Sequence, residues 1–376
     1  MSQRPSLLAL IGTRPEAIKL APVIAALRES DRINVRVCFV AQHRDLLDQM
    51  AATFELKPDM DLNLMTEGQT PLEFTARALA EFARLMHAEK PSGMIAQGDT
   101  STVFAAAIAS YLNRCPFFHV EAGLRSGDLE NPFPEEYHRR VASLGATLHF
   151  APTSRARSHL LSEGVAGSRI YTVGNTVVDT LVHLKDRITK NDATYRRSFP
   201  DLDAKRMVLI TAHRRENFGG PLQDICKAVR ALCARYRDHV FVWSMHPNPA
   251  VKATVEQMLG NVPNVRLIPA VAYDELLWLL QACRLVLTDS GGIQEEAPSF
   301  GKPVLVLRTT TERPEGVEAG AAMLVGTDPD RIEAEASRLL SDPELYRTMV
   351  VARNPYGDGK ASLRIRDALH AHFQVR

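Results

Sequence analysis

The chain has 376 residues, of which 45% are apolar and 24% charged, and its formal net charge is +1. Such a length accommodates two domains with full-sized cores. The near-neutral balance gives no global field to draw in nucleic acid or an anionic membrane surface. No apolar stretch approaches the roughly 18 residues of a spanning helix. Met1–Ser6 leads into a strand without the apolar segment of a signal peptide. A cytoplasmic protein with no nucleic-acid or membrane partner is therefore expected. Cys38, Cys115, Cys226, Cys233 and Cys283 are odd in number, scattered, and mostly inside apolar runs. With no C-x-x-C pair among them they read as buried free thiols, not as a disulfide framework or a zinc site.

In chain order, short apolar and often β-branched runs occur at Leu7–Ile11, Val35–Val40, Met94–Ala96, Phe117–Val120, Leu148–Ala151 and Ile170–Val173. They resume at Met207–Ile210, Val240–Ser244, Val265–Ile268, Leu285–Leu287 and Val304–Leu307. Segments with helical spacing lie between them, such as Ala17–Arg28, Pro71–Ala88, Thr102–Tyr111 and Leu222–Arg237. Continuous apolar strands alternating with helices predict α/β architecture, with parallel sheets covered on both faces. The count over this length predicts two doubly wound domains. The break is expected within residues 175–205, where Asp186–Asp203 is charged and weakly periodic.

The polar, glycine-marked segments follow the strands. They are Gly12-Thr13-Arg14-Pro15-Glu16, Gln42-His43-Arg44, Gly98-Asp99-Thr100, Glu121-Ala122-Gly123-Leu124-Arg125 and Gly174-Asn175 in the first half. The second half has His213-Arg214-Arg215-Glu216-Asn217, His246-Pro247-Asn248-Pro249 and Asp289-Ser290-Gly291-Gly292. In open α/β sheets ligands bind beyond the carboxyl ends of the strands, so these segments predict the two walls of an interdomain cleft. The sharpest of them is the last. A strand ends at Leu287, two glycines permit a tight turn, and a helix start offers unpaired N–H groups to a phosphate. Glu295 or Glu296, one turn on, is placed to accept hydrogen bonds from sugar hydroxyls.

Charge narrows the ligand. Arg14, Lys19, Arg125, Arg139, Arg214, Arg215 and Arg313 suit a pyrophosphate. There is no G-x-x-x-x-G-K-[ST] loop and no G-x-G-x-x-G after the first strand, which argues against a P-loop nucleotidase and a dinucleotide cofactor. Asp99, Glu121, Glu135 and Glu136, together with His213, add proton-transfer chemistry to anion binding. His119 and His149 read as satisfied core histidines, and His246 as a cleft residue.

These motifs resemble the non-hydrolysing UDP-N-acetylglucosamine 2-epimerases. The resemblance is carried by Gly12–Lys19, Gly98-Asp99-Thr100, His119–Arg125, Pro132–Glu136, Val173–Thr176, His213–Gly219, Asp289–Pro298, Thr311–Glu315 and Asn354–Gly359, in register over about residues 8–370. It implies a glycosyltransferase-B-like fold of two Rossmann-like domains. The first domain would span 1–175, joined by a C-terminal helix at about 358–376, and the UDP-binding domain 176–357. It also implies interconversion of UDP-GlcNAc and UDP-ManNAc with no NAD, metal or other cofactor, and a homodimer. By resemblance Asp99, Glu121, Glu135 and His213 share proton transfer and charge stabilisation. Arg14, Lys19, Arg139, Ser290, Gly291, Gly292 and Arg313 would hold the substrate and its UDP, with Glu296 on the ribose. Gln42, Gln49, Arg77, Glu136, Arg214 and His246, with His213, match positions tied to a second, activating UDP-GlcNAc.

One departure stands out. The family pattern Pro-Glu-Glu-x-Asn-Arg is here Pro134-Glu135-Glu136-Tyr137-His138-Arg139, and Arg140–Thr147 departs as well. His138 bears on activation and on which sugar is accepted. The alternatives are a 2-epimerase of a modified UDP-sugar, such as a diacetamido uronic acid, and a hydrolysing relative releasing ManNAc and UDP. A glycosyltransferase lacks an acceptor signal here. A catalytically dead sensor would have lost the acids.

Overall fold

The structure is a computed structural model that describes residues 4–40, 53–54, 56–202, 206–350 and 354–374. Its chain divides into two compact units, Met1–Val182 with Tyr356–Arg376, and His183–Pro355.

The first unit runs β1 (Ser6–Ile11), α1 (Arg14–Ser30), β2 (Asn34–Phe39), β3 (Met60–Asp61), α2 (Pro71–Glu89), β4 (Gly93–Gln97) and α3 (Ser101–Leu112). It continues with β5 (Phe117–Val120), α4 (Glu135–Gly145), β6 (Leu148–Ala151), α5 (Ser154–Ser162) and β7 (Ile170–Thr172). Helix α6 (Thr176–Lys190) straddles the boundary. The second unit runs α7 (Asp192–Ser198), β8 (Met207–Thr211), α8 (Gly220–Arg235), β9 (Val240–Ser244), α9 (Pro249–Leu259), β10 (Val265–Ile268) and α10 (Tyr273–Ala282). After it come β11 (Leu285–Thr288), α11 (Gly291–Glu296), β12 (Val304–Val306), α12 (Pro314–Glu318), β13 (Ala322–Leu324), α13 (Pro329–Ser341) and α14 (Pro343–Val350). The last helix, α15 (Ala361–Gln374), belongs to the first unit.

Both sheets are parallel throughout. The strand orders are β3-β2-β1-β4-β5-β6-β7 and β10-β9-β8-β11-β12-β13. In each, the order reverses beside the unit's first strand, at β1/β4 and at β8/β11. That reversal is where a doubly wound sheet opens a crevice for ligand.

The strands are apolar end to end because helices cover both faces. Leu7, Leu10, Ile11, Phe117, Phe118 and Phe150 in the first unit, and Phe241 and Trp243 in the second, are fully buried. Each such side chain contributes about 1.5–3 kcal/mol. Cys38, Cys226, Cys233 and Cys283 are buried free thiols, and Cys115 is half-buried.

Helix α15 is tied back at its start by the buried Asp179 of α6, which accepts from Ala361 N at 3.1 Å and Ser362 N at 2.8 Å. The charged residues 186–202 are largely helical despite their weak periodicity: α7 is fixed by contacts remote in sequence, Trp278 Nε1–H to Asp192 at 2.9 Å and Tyr195 Oη–H to Asp274 at 2.9 Å. Strands β3, of two residues, and β13, of three, were not expected from the sequence.

Candidate active site

In the first unit the β1/β4 crevice brings together the loops that follow those strands. Glu16, at the third position of α1, is fully buried and accepts from Gly12 N at 2.7 Å, Thr13 N at 2.6 Å and Thr13 Oγ1 at 2.9 Å. Its other oxygen accepts from Thr100 Oγ1 at 2.6 Å, binding the β1 loop to the β4 loop. Burial pushes the Glu16 carboxyl up to about 7 against the pull of those donors. Sequence reasoning gave Glu16 no role, although Thr13-x-x-Glu16 is a capping-box spacing.

Asp99 follows β4. Its carboxylate takes Arg139 Nε at 2.9 Å and Nη2 at 2.7 Å on a single oxygen. Its backbone carbonyl accepts from His138 Nδ1–H at 2.9 Å. The His138 ring stacks on Phe104 at 4.7 Å, and burial holds it below the usual histidine range. His138 is thus a support for the Asp99 backbone.

Glu121 follows β5 with φ 64°, a left-handed conformation costly for a side chain with Cβ. That turn aims its carboxylate at Lys19 of α1, and the two form a buried ion pair. Gly123, two residues on, has φ 91°, and a Cβ there would collide with the Ala156 carbonyl.

Glu135 opens α4. Its Oε2 is buried with no hydrogen-bond partner among the described residues. Glu135 and Asp99 both act electrostatically on His138, which places the two carboxylates around one ring. Glu136 is fully buried and accepts from Ser126 N at 2.9 Å and Arg139 Nη1 at 3.2 Å. Arg125 was expected among the ligand-facing cations. Instead it is spent inside the unit, paired through Nε and Nη2 to Glu163 at 2.7 Å and donating to Ser143. Arg77 lies on α2 and donates to Thr66 Oγ1 and Gln69. Arg14 is the first residue of α1, in the same β1 loop region. Gln42 and Gln49 lie outside the described residues.

His119 and His149 are core residues, as expected, but they are not both satisfied. His119 donates from Nε2 to the Gly98 carbonyl at 2.7 Å, and among the described residues its Nδ1 and both nitrogens of His149 have no hydrogen-bond partner. Burial brings them down to about 4 and about 3 respectively.

In the second unit the β8/β11 crevice is organised by Asp289, which is fully buried. It accepts from His213 N at 2.9 Å, Arg214 N at 2.9 Å and Asn217 Nδ2 at 2.9 Å, with His213 Nδ1 at 3.5 Å. The His213 ring stacks on His246 at 5.4 Å. Burial outweighs the Asp289 charge and keeps His213 below its usual range, hence neutral at physiological pH.

Ser290 caps the start of α11, whose first two residues are Gly291 and Gly292. A Cβ on Gly291 would lie 2.6 Å from Arg313 Nη1 and 2.7 Å from its Cζ, so glycine lets the guanidinium approach the turn. Arg313 is held by Glu295 at 2.7 Å and Glu312 at 2.8 Å. Burial works to raise Glu312, but Arg313 and Arg308 outweigh it and bring it down to about 2. Arg214 Nη2 stands 3.5 Å from the same carboxylate. Glu296 accepts from Tyr273 Oη at 2.9 Å through Oε1. Asp289, Glu312 and Tyr273 were not singled out from sequence. The first two lay within quoted motifs, whereas the Tyr273 contact spans 23 residues and has no local signature.

The sequence model of the UDP-N-acetylglucosamine 2-epimerase family matches residues 25–370. The UDP-N-acetylglucosamine 2-epimerase of Escherichia coli O157:H7 is 47% identical over 366 residues, 96% of this chain and 97% of its own length. That of Salmonella typhimurium is 46% identical over 369 residues, 97% and 98% respectively. Among solved structures, the Neisseria meningitidis UDP-GlcNAc 2-epimerase bound to UDP-GlcNAc superposes with TM-score 0.93 at 41% identity, over 97% of this chain and 100% of that one. The Methanocaldococcus jannaschii enzyme in complex with UDP-GlcNAc and UDP gives 0.84 at 33% identity, over 97% and 99%.

Proposed function

The chain belongs to the UDP-N-acetylglucosamine 2-epimerase family, and from that premise we propose that it interconverts UDP-GlcNAc and UDP-ManNAc without hydrolysis. The carrying observation is the acid cluster of the first unit. Asp99, Glu121 and Glu135 stand on loops and a helix start beyond the carboxyl ends of β4 and β5, and Glu135 has a buried carboxylate oxygen with no hydrogen-bond partner among the described residues.

The C2 proton of the sugar is not acidic by itself. Breaking the C1–O bond therefore runs ahead of or with its removal: the electron pair of C1–O leaves with UDP, and the C2–H pair becomes the C1–C2 double bond of a 2-acetamidoglucal. UDP then re-adds at C1 while a proton is delivered to the opposite face of C2. Atoms balance without any oxidant or water.

Asp99, fixed by Arg139 and His138, and Glu121, fixed by Lys19, are oriented carboxylates. Glu135 is the least compensated of the three and takes the leading part in proton transfer. The departing diphosphate falls to Ser290, Gly291, Gly292 and Arg313, and the ribose to Glu296; Arg14 is a further substrate-binding cation. Preorganised donors are worth most where charge develops. His213, being neutral, serves as a hydrogen-bonding group and leaves charge stabilisation to arginine.

The same reading includes activation by a second UDP-GlcNAc through Arg77, Glu136, Arg214 and His246, and a dimeric, cytoplasmic enzyme.

The test is incubation of the pure protein with UDP-GlcNAc in D₂O, followed by NMR. UDP-ManNAc carrying deuterium at C2, with a sigmoidal dependence of rate on substrate, is the expected result. Free ManNAc plus UDP would assign a hydrolysing enzyme instead. Unchanged, undeuterated substrate would turn the reading toward a modified UDP-sugar.

A further inference from the structure

We propose that the second unit carries a separate anion site, suited to a small hydroxyl-bearing phosphate monoester, in a cleft lined by Lys302, Arg284, Arg196 and Gln281. The cleft has a volume of about 480 Å³, within the range of small-molecule sites. It lies at the opposite end of the sheet from Asp289: Arg284 immediately precedes β11 and Lys302 precedes β12, whereas Asp289 follows β11. It is therefore distinct from the nucleotide turn and does not depend on the reading given above.

Charge in the cleft is unbalanced. Its one carboxylate among the described residues, Asp192, is already taken by Arg196 Nε at 2.6 Å and by Trp278 Nε1–H at 2.9 Å. Arg284 lies with its guanidinium 4.3 Å over the Tyr346 ring, and the Tyr346 hydroxyl donates to the Arg284 carbonyl at 2.9 Å, so this cation is held in place by an aromatic face. Lys302 is half-buried, with no carboxylate in reach among the described residues, and burial and Arg284 hold its ammonium below the usual lysine range. The end of α10 at Ala282 supplies about half a negative charge, which is too little for two adjacent cations. Cys283 adds none, because burial pushes its thiol up to about 12.

A phosphate monoester carries about −1.5 to −2 at neutral pH and suits an Arg fork beside a Lys. Gln281 supplies the further specification. Its Nε2 donates to Thr189 at 3.3 Å, while its Oε1 is buried with no hydrogen-bond partner among the described residues. That acceptor calls for a hydroxyl on the ligand.

The experiment uses the intact protein with glycerol 3-phosphate and inorganic phosphate as probes. Acetylation of Lys302 is followed by mass spectrometry, with exposed Lys252 as the internal control. Millimolar glycerol 3-phosphate is expected to slow acetylation of Lys302 saturably and leave Lys252 unchanged. Calorimetric titration is expected to show binding weakened about tenfold or more by Arg284→Gln, with epimerisation of UDP-GlcNAc unaltered. Absence of Lys302 protection in the wild-type protein, or equal affinity in Arg284→Gln, would overturn the site. Inorganic phosphate binding as tightly as glycerol 3-phosphate would overturn the part given to Gln281.

Discussion

The two crevices use the same residue types in opposite ways. In the first unit carboxylates are presented at the ends of the structure: Glu121 from a left-handed backbone position, Glu135 from the first residue of a helix with an oxygen unpartnered. In the second unit the carboxylates are scaffolding. Asp289 gathers three N–H donors and Glu312 collects arginines, so the diphosphate is left to cations, hydroxyl and glycine backbone. Acids that react must keep an open valence, whereas acids that position are saturated. That difference separates proton transfer from anion binding more clearly than the residue names do.

The largest expected effect tests the reacting side. Glu135→Gln preserves shape but removes the proton carrier, and should lower turnover by about 10²–10⁴. Deuterium incorporation at C2 checks it; an unchanged rate would move proton transfer to Asp99 or Glu121. On the scaffolding side, Asp289→Asn replaces the acceptor of three hydrogen bonds and should cost about 2–4 kcal/mol of stability in urea titration. A loss of activity with no loss of stability would instead place Asp289 among the reacting acids. Gly291→Ala should raise KM for UDP-GlcNAc about tenfold at nearly constant kcat, because the added methyl displaces Arg313 from the turn.

Two smaller effects concern pH, and both come from the first unit. His149 is down at about 3 from an ordinary 6.5, so between these values the unfolded chain binds the extra proton and stability rises with pH. His149→Leu should therefore narrow the gap in stability between pH 8 and pH 5 by about 2 kcal/mol. Glu16 acts in the other direction. Raised to about 7 from 4.5, it holds a proton that the unfolded chain has lost, so its contribution is complete below 4.5 and is gone above 7. Glu16→Gln should remove that decline, at most about 1.4 kcal/mol per pH unit, in denaturant titrations across the interval. A steeper decline in the variant would show that the four donors, not burial, govern this carboxyl.

Much of this was legible in the residues. Phe117–Val120, Leu148–Ala151, Val240–Ser244 and Val265–Ile268 form strands with the expected bounds, because buried parallel strands are apolar throughout and need no partner to be recognised. The loops after β1, β4, β8 and β11 were legible for a related reason: glycine, acid and base accumulate where a chain must turn and meet a ligand. Arg125 was misjudged because a cation's partner is not encoded nearby; Glu163 lies 38 residues away. His149 looked satisfied because strand periodicity reports burial and says nothing of hydrogen bonds.

The sequence by itself determined the alternating α/β order, the strand cores and the family, since these rest on local periodicity and on motifs contiguous in the chain. Tertiary structure alone decided which charges are free to act. The order reversal beside β1 and β8 brings residues far apart in the chain within 3 Å of each other, and a carboxylate's role follows from how many donors then reach it. Asp289 and Glu135 are the same chemistry in one dimension; only packing fills the lone pairs of one and leaves an oxygen of the other open.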